Sequence, residues 1–223
     1  MPDQSDLTLP GSSRTRAVLR GLARGLLQTF AHLEVRGVEN VPLAGPLLIA
    51  CNHTSHLDAP TAVAFIPREI EFVALADLGE VPVTRTILRA YRVIWVHRDE
   101  LDREVVKQSL AALDRGQALW LAPEAGRSPT GALMPARHGV AWLAARSGAP
   151  VLPMAIAGAH QAAAQWQRLR RPTIQVAFGQ PMRLTVSPDL DAAGRRAAVA
   201  ANTETLMRAI AALLPPEYRG VYQ

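Results

Sequence analysis

The chain has 223 residues, enough to bury the core of one domain, and no internal repeat or low-complexity tract divides it. Its formal charge of +5 is carried almost wholly by arginine and favours anionic partners. Nucleic acid is not an expected partner, because aromatic residues make up only 5% of the chain and no nucleic-acid-binding motif is present. The single cysteine, Cys51, excludes an intrachain disulfide framework and is compatible with the reducing cytosol.

The first predicted element is a basic amphipathic helix over residues 14–33. Two interpretations stay open: the helix lies on an anionic membrane surface, or it packs on the domain as an ordinary first helix. No charge-free apolar run is long enough to cross a bilayer. We expect residues 1–33 to form a loose start and a membrane-facing helix, and residues 34–223 to form the main domain. One side of the helix carries Val18, Leu19, Leu22, Ala23, Leu26, Leu27, Phe30 and Leu33, and the other carries Arg20, Arg24 and Gln28.

A histidine and a carboxylate follow the next predicted element, an apolar strand at residues 47–51. His53 would lie at the carboxyl edge of the sheet, and Asp58 suits the cap of a helix over residues 59–65. A carboxylate that binds one ring nitrogen fixes the tautomer of the imidazole and leaves the other nitrogen free to accept a proton from a hydroxyl. The pattern therefore predicts a general base, His53, with Asp58 as its orienting acid.

The rest of the chain alternates short apolar runs with helical patterns. Strands are predicted at residues 71–74, 92–96, 118–122, 151–156 and 173–178, and helices at residues 83–90, 101–114, 140–146 and 192–214. This alternation predicts an α/β fold in which helices cover a mixed β-sheet.

A second polar cluster, at residues 123–131, follows the predicted strand at 118–122. It contains Glu124, Gly126, Arg127 and Ser128. Loops at the carboxyl ends of strands in an open α/β sheet share one crevice, so we expect this cluster and His53 to line the same site.

Other uses of these residues are weaker hypotheses. A hydrolase triad of Ser55, His53 and Asp58 would need a serine two residues from its own base, and the chain has no Gly-x-Ser-x-Gly elbow. Cys51 as a nucleophile conflicts with its place in an apolar strand, where a buried thiol is inert. A metal held by His53, His56 and Asp58 would lack a further ligand at a recognisable spacing, so no metal is expected.

Four segments, in order, resemble motifs of the glycerolipid acyltransferase family, whose best-known members are the 1-acylglycerol-3-phosphate acyltransferases. Residues 52–58 match an Asn-His followed by an Asp, and residues 93–98 resemble an apolar strand that ends in arginine. Residues 122–128 are similar to Phe-Pro-Glu-Gly-Thr-Arg-Ser, and residues 152–156 to Val-Pro-Val-x-Ile. The matching polar residues and glycine are Asn52, His53, Asp58, Arg98, Glu124, Gly126, Arg127 and Ser128.

The resemblance implies a glycerol-3-phosphate acyltransferase-like fold and transfer of an acyl group from acyl-CoA or acyl carrier protein to the free hydroxyl of a lysophospholipid, without a cofactor. His53 would be the base, and Asp58 would stabilise the imidazolium. Arg98 and Arg127 would bind the acceptor phosphate, and Glu124 would hold an arginine or contact the glycerol.

Gly126 and Ser128 complete the substrate-binding residues that the resemblance implies, and backbone amides near Gly126 are candidate oxyanion donors. One departure from the third motif is that Ala125-Gly126 replaces Gly-Thr. A lyso-aminolipid acceptor, or a non-catalytic protein that binds lipid or acyl carrier on this fold, therefore stays open. With the basic helix, the resemblance implies peripheral attachment to the cytoplasmic face of the cell membrane.

Overall fold

The computed structural model describes residues 13–75, 82–91, 93–96 and 103–223. In this part of the chain, seven strands form one sheet and seven α-helices pack around it. The strands are β1 (His32–Arg36), β2 (Leu47–Cys51), β3 (Ile70–Leu75), β4 (Ile94–Val96), β5 (Ala118–Leu121), β6 (Val151–Ala157) and β7 (Thr173–Phe178). The helices are α1 (Ser13–Phe30), α2 (Asp58–Phe65), α3 (Pro82–Tyr91), α4 (Arg103–Asp114), α5 (Gly139–Ser147), α6 (Ala162–Gln167) and α7 (Ala192–Leu213).

The strand order in the sheet is β1-β7-β6-β2-β5-β3-β4. Neighbouring strands run parallel except β6 and β7, which are antiparallel, so β1 and β7 run opposite to the other five. The carboxyl ends of β2 and β5, which are direct neighbours, therefore lie at the same edge of the sheet. This mixed sheet with its helices confirms the predicted fold class.

The central strands are buried because helices cover both faces of the sheet. Every residue of β2 and of β6 is buried. Along β2 the side chains alternate, so that Ile49 packs in the layer that contains Trp120, while Leu48 packs in the layer that contains Leu206 of α7. A continuous apolar run is typical of such a doubly covered strand, and each buried leucine or isoleucine stabilises the fold by about 1.5–3 kcal/mol.

The element boundaries agree with the predictions for β2 and β7, and two elements, β1 and α6, were not predicted. The predicted first helix runs to residue 33, but α1 ends at Phe30. The reason is that His32 and Leu33 pair with Thr173 and Ile174 of β7. β1 is a short edge strand in which Leu33 and Val35 are half-buried and alternate with exposed polar residues, but Leu33 also fits the helical pattern of α1.

Helix α1 packs on the domain along one side and leaves a second apolar side exposed. The Arg16 guanidinium, which is buried, donates to both carboxylate oxygens of Glu71 at 2.8 and 3.1 Å and lies 5.0 Å from the centre of the Tyr91 ring. Leu27 is buried on the same side of the helix. No helix in the described ranges is long and apolar enough to cross a membrane. The exposed side, which we call the α1 apolar stripe, consists of Val18, Leu22, Leu26 and Phe30, each between 53% and 61% exposed.

Candidate active site

The centre of the candidate site is a hydrogen bond between His53 and Asp58. His53 follows the end of β2 by two residues, and Asp58 is the first residue of α2. His53 Nδ1 lies 2.9 Å from Asp58 Oδ2, and the carboxylate is completely buried. The same oxygen accepts hydrogen bonds from the amides of Thr54 at 2.6 Å and Ser55 at 2.8 Å. Three donors therefore hold the charged carboxylate in place.

Asp58 was predicted to cap α2, but its side chain serves the preceding loop instead. The residue before the helix is Leu57, and no side-chain hydrogen bond caps the helix there. The carboxylate oxygen accepts from the backbone amides of Thr54 and Ser55, and these bonds keep the loop folded close to His53. The tight loop between β2 and α2 is thus built around the His53–Asp58 contact.

The imidazole of His53 is oriented for proton transfer through its second nitrogen. Since the Asp58 carboxylate can only accept, Nδ1 carries the proton of that hydrogen bond and the lone pair lies on Nε2. Nε2 has no hydrogen-bond partner among the described residues, and the side chain is 26% exposed. The indole of Trp120 packs edge-on against the ring, with 5.9 Å between ring centres. A packed ring with one free nitrogen facing a partly open surface suits a general base.

Asn52 fixes the end of β2 beside the site. Its side chain is fully buried and forms two hydrogen bonds of 2.8 Å with the backbone of Ile156, one to the carbonyl and one from the amide. The paired contact joins β2 to β6 at the point where the chain leaves the sheet. Sequence analysis included Asn52 in a motif without assigning it a role, and the structure gives it the role of anchoring the residue next to His53.

The loop after β5 holds the backbone of His53 from both sides. The Glu124 carboxylate accepts from the His53 amide at 3.0 Å and from the Met134 amide at 2.7 Å, and the Ser128 amide donates to the His53 carbonyl at 2.7 Å. Burial raises the pKa of Glu124 above its ordinary value, against the opposing effect of these two amides. The two polar clusters predicted to share a site therefore lie in direct contact.

Glu124 and Ser128 bond to the backbone of their own and the neighbouring loop, and their part in substrate binding stays a prediction. Both oxygens of Glu124 bond to backbone amides, and no arginine of the described chain contacts them. The Ser128 hydroxyl is buried and donates to the carbonyl of Ala132 at 2.6 Å. The reason in each case is burial, because a buried polar group needs partners inside the protein. Their contacts support the loop that holds His53.

Arg127 lies at the surface of the site, where its guanidinium contacts His56 Nε2. Burial lowers the pKa of His56, and the positive charges of Arg127 and His53 lower it further. No carboxylate of the described residues pairs with Arg127. Sequence analysis considered His56 only as a candidate metal ligand, and its contact with Arg127, 71 positions further along the chain, comes from the fold. Arg98, the other predicted phosphate ligand, lies outside the described residues.

The departure from the third motif has a structural counterpart at Ala125. Its φ of 53° lies in the left-handed region, which costs a residue with a Cβ about 1–2 kcal/mol. The glycine of the motif would suit this position, whereas in this chain the glycine follows at Gly126. The loop therefore keeps a conformation that favours glycine although alanine occupies the position.

The weaker hypotheses have little support in the geometry. Cys51 is completely buried, and burial raises the pKa of its thiol well above the ordinary value, which disfavours a thiolate nucleophile. The Ser55 hydroxyl accepts from the Leu57 amide at 3.2 Å. Across the described ranges, no group of three or more His, Cys, Asp or Glu side chains is arranged to hold a metal ion.

Comparison with known proteins shows the family to which the chain is similar. Residues 32–157 match the model of a protein family described as Acyltransferase. The chain is 26% identical over 132 residues to a chloroplastic 1-acyl-sn-glycerol-3-phosphate acyltransferase of Brassica napus, covering 58% of this chain and 38% of that protein. It is 24% identical over 186 residues to the 1-acyl-sn-glycerol-3-phosphate acyltransferase of Bacillus subtilis (strain 168), covering 83% of this chain and 89% of that protein.

The matched part of the chain spans only 37% to 46% of the length of the plant and nematode relatives. A solved structure shows the same fold: the 1-acyl-sn-glycerophosphate acyltransferase of Thermotoga maritima superposes with a TM-score of 0.64 at 18% identity, over 91% of this chain and 84% of that chain. Because the family model covers β1 to β6, including both loops that meet at His53, the chain belongs to the acyltransferase family, a family of enzymes.

Proposed function

We propose that this protein transfers a fatty acyl group from a thioester donor, acyl-CoA or acyl carrier protein, to the free hydroxyl of 1-acylglycerol-3-phosphate. The observation that carries the proposal is the bond between His53 Nδ1 and Asp58 Oδ2, which leaves His53 Nε2 free. The names of the relatives from Brassica napus and Bacillus subtilis support this choice of acceptor. The donor is a co-substrate, and the proposal assigns no cofactor.

In the proposed reaction, His53 Nε2 removes the proton of the acceptor hydroxyl while the hydroxyl oxygen attacks the thioester carbonyl. The tetrahedral intermediate then collapses, the C–S bond breaks, and the imidazolium returns the proton to the leaving thiolate. The products are the new ester and a free thiol, and no acyl-enzyme forms. The Asp58 carboxylate, which is buried beside Nδ1, stabilises the imidazolium between the two proton transfers.

The amides of Gly126 and Arg127 are the proposed oxyanion donors. Among the described residues neither amide has a hydrogen-bond partner, whereas the flanking amides of Ala125 and Ser128 donate to Ala122 and His53. The Ser128 contact brings this turn against His53. Two free amides close to the base can donate to the oxygen that becomes negative as the carbonyl is attacked.

Arg127 is the proposed ligand of the acceptor phosphate, together with Arg98. The guanidinium of Arg127 is exposed and contacts only the neutral acceptor His56 Nε2, so its charge is available to an anion. A guanidinium binds phosphate oxygens through paired hydrogen bonds, which would position the acceptor hydroxyl near His53.

The α1 apolar stripe is the proposed contact with the membrane, at the cytoplasmic face of the cell membrane. Its four large side chains are more than half exposed, and inserting one leucine into the acyl region gains about 1.5–3 kcal/mol. Leu22→Glu should therefore weaken binding to phosphatidylglycerol vesicles at least ten-fold. Val221→Glu is the matched control, because Val221 is 64% exposed in the C-terminal segment that packs with α7, on the other face of the sheet from α1. Equal vesicle binding by both variants would refute the assignment.

The decisive experiment measures thiol release from palmitoyl-CoA with and without 1-acylglycerol-3-phosphate. Native protein should show acceptor-dependent release, and His53→Ala should lose it by about 10²–10⁴-fold, which is the usual contribution of a positioned base. His138→Ala is the control, since His138 bonds to Thr203 away from the site. Equal rates with a phosphate-free lyso-aminolipid would reassign the acceptor. No turnover with any donor or acceptor would favour a binding protein.

A further inference from the structure

The loop between α6 and β7, residues 168–171, places one leucine among three arginines at the surface. We call it the Leu169 loop. Leu169 is 98% exposed, and Arg168, Arg170 and Arg171 are exposed beside it. Nothing in the proposed reaction uses these residues. An exposed apolar side chain with positive charges around it suits contact with anionic lipids.

The backbone of the Leu169 loop holds the leucine side chain in water. The amides of Arg168 and Arg170 both donate to the carbonyl of Gln165, at 3.0 and 2.9 Å, and the amide of Leu169 donates to the carbonyl of Trp166 at 2.9 Å. These bonds fix the turn. Leu169 has a φ of 54°, in the left-handed region that is unfavourable for a residue with a Cβ. Both the conformation and the exposure of Leu169 are therefore unfavourable in water, and a partner that takes up the side chain would offset the exposure.

The arginines of the Leu169 loop keep positive charge available to a partner. Residues 125–188 contain seven arginines and no aspartate or glutamate, so the loop has no acidic neighbour in sequence. In the described part of the chain, no carboxylate forms an ion pair with Arg168 or Arg170. Arg171 donates to two carbonyls at the end of α1, each at 2.7 Å, and so fastens the loop to that helix. The charge that a partner would meet is that of Arg168 and Arg170.

The Leu169 loop lies at the edge of the sheet where β2 leads to His53. β7 runs antiparallel to β6 and therefore to β2, so its first residue, Thr173, lies at this edge. Two strand spacings, about 10 Å, separate β7 from β2. The loop also adjoins the end of the α1 apolar stripe, because the Trp166 indole donates to the carbonyl of Phe30 at 2.8 Å. The loop is thus close to the stripe and on the edge that carries the candidate site.

The α1 apolar stripe faces away from the opposite edge of the sheet. Arg20 and Arg24, on the other side of α1, contact the carbonyl of Arg68 and the ring of Phe65. Phe65 is the last residue of α2 and Arg68 precedes β3, so both lie at the edge opposite His53. Successive residues of an α-helix are rotated by about 100°, which puts the mean direction of the stripe about 160° from that of these two arginines. One surface can therefore contact both the stripe and the Leu169 loop.

We infer that the Leu169 loop is a second contact with an anionic membrane surface, with Leu169 in the acyl region and Arg168 and Arg170 at the lipid phosphates. For the orientation of the domain, this inference rests on the proposed membrane contact of the α1 apolar stripe. Long arginine side chains keep their charge among the headgroups while the leucine enters the apolar layer. With two contacts, the edge of the sheet that carries His53 faces the layer in which a lysophospholipid acceptor is dissolved.

A fluorescent label at position 169 tests the insertion directly. Cys51 is the single cysteine and is completely buried, so a cysteine introduced at the surface can be labelled selectively. Leu169→Cys with an environment-sensitive fluorophore is mixed with phosphatidylglycerol vesicles, phosphatidylcholine vesicles or acyl carrier protein. The control is Val221→Cys, on the other face of the sheet. We expect phosphatidylglycerol vesicles to shift the emission at position 169 to the blue and to leave the emission at position 221 unchanged.

Two substitutions separate the apolar and the charged parts of the Leu169 loop. Leu169→Gly removes the side chain and suits the left-handed φ, so the fold should be at least as stable as native while binding to phosphatidylglycerol vesicles weakens about ten-fold. Arg170→Gln should weaken the same binding about five-fold and leave binding to phosphatidylcholine vesicles unchanged. Arg196→Gln, at an exposed arginine of α7, is the control with the same change in charge.

The outcomes distinguish a membrane from a protein partner. If phosphatidylglycerol vesicles leave the emission at position 169 unchanged, the inference is overturned, and a response to acyl carrier protein alone would reassign the loop to the acyl donor. Equal weakening by Arg170→Gln and Arg196→Gln would also overturn it, because net charge would then account for the effect. None of these measurements requires turnover. A protein whose loop inserts but which transfers no acyl group would refute the proposed function and leave the inference standing.

Discussion

Replacing Asp58 by asparagine separates the geometry of the His53–Asp58 pair from its charge. His53 Nδ1 and the amides of Thr54 and Ser55 all donate to Oδ2, whereas Oδ1 is buried without a partner. An asparagine carbonyl at the position of Oδ2 can accept the same three hydrogen bonds. The amide nitrogen would then occupy the buried position of Oδ1, where it has no acceptor, so we expect Asp58→Asn to lower the free energy of unfolding by about 1–3 kcal/mol.

The charge lost in Asp58→Asn is what should reduce catalysis. At the observed 2.9 Å and an effective dielectric constant of about 20, a carboxylate stabilises an imidazolium by about 6 kcal/mol. Partial exposure of the His53 ring to water reduces this value. We expect kcat to fall about 10³–10⁴-fold, which corresponds to about 4–5.5 kcal/mol.

The assay is thiol release at saturating donor and acceptor, with urea unfolding measured on the same preparations. Asp58→Ala is the comparison, because it leaves the buried amide of Thr54 and the half-buried amide of Ser55 without their acceptor and should cost about 1–3 kcal/mol of stability for each. If Asp58→Asn kept a kcat within about ten-fold of the native value, the carboxylate charge would not be stabilising an imidazolium, and the proposed mechanism would be wrong.

Three further predictions concern stability and titration. Arg16→Met should cost about 3–5 kcal/mol in urea unfolding, because it leaves the buried Glu71 carboxylate without its charged partner. Glu71→Leu should cost less, because Glu69 still lies 3.4 Å from Arg16, and the double variant should cost less than the sum of the two; additive costs would contradict the coupling. Arg127→Gln should raise the pKa of His56 towards its ordinary value, because one repelling charge is removed while burial remains; an unchanged pKa by NMR titration would contradict the contact. Ala125→Gly should raise the free energy of unfolding by about 0.5–1 kcal/mol, since relief of the left-handed strain exceeds the entropy that glycine adds to the unfolded chain; lower stability would show that the loop is not strained.

The parts of the fold that could be predicted are those whose signal is local. β2 is a continuous apolar run because both its faces are buried, and its predicted boundaries agree with the structure. β1 was not predicted because it is an edge strand, held by pairing with β7 some 140 residues away. Leu33 and Val35 alternate with polar residues as in a half-buried strand, but the run has only five residues and Leu33 also continues the helical pattern of α1. The end of α1 is therefore set by tertiary pairing.

In the site, too, contacts within one short loop could be predicted, whereas contacts between distant loops could not. The contact of His53 with Asp58 could be predicted because five residues separate them and one short loop brings them together. The hydrogen bonds of Glu124 could not be predicted, because its partners are the backbone amides of His53 and Met134, and every residue type except proline has such an amide. A carboxylate in a motif can bind substrate, hold an arginine or brace a loop, and only the fold decides among these.

The hydrogen bonds from the loop after β5 to the backbone of His53 change how variants in that loop should be interpreted. The loop after β5 contacts both the amide and the carbonyl of His53, so the base is positioned by residues 71 and 75 positions further along the chain. This arrangement requires β2 and β5 to be parallel neighbours, because only then do both loops leave the sheet at the same edge. A substitution at Glu124 would remove the acceptor of the His53 amide and so displace the proposed base. It should therefore lower kcat more than it raises KM, whereas replacing Arg127, the proposed phosphate ligand, should act mainly on the KM for the acceptor.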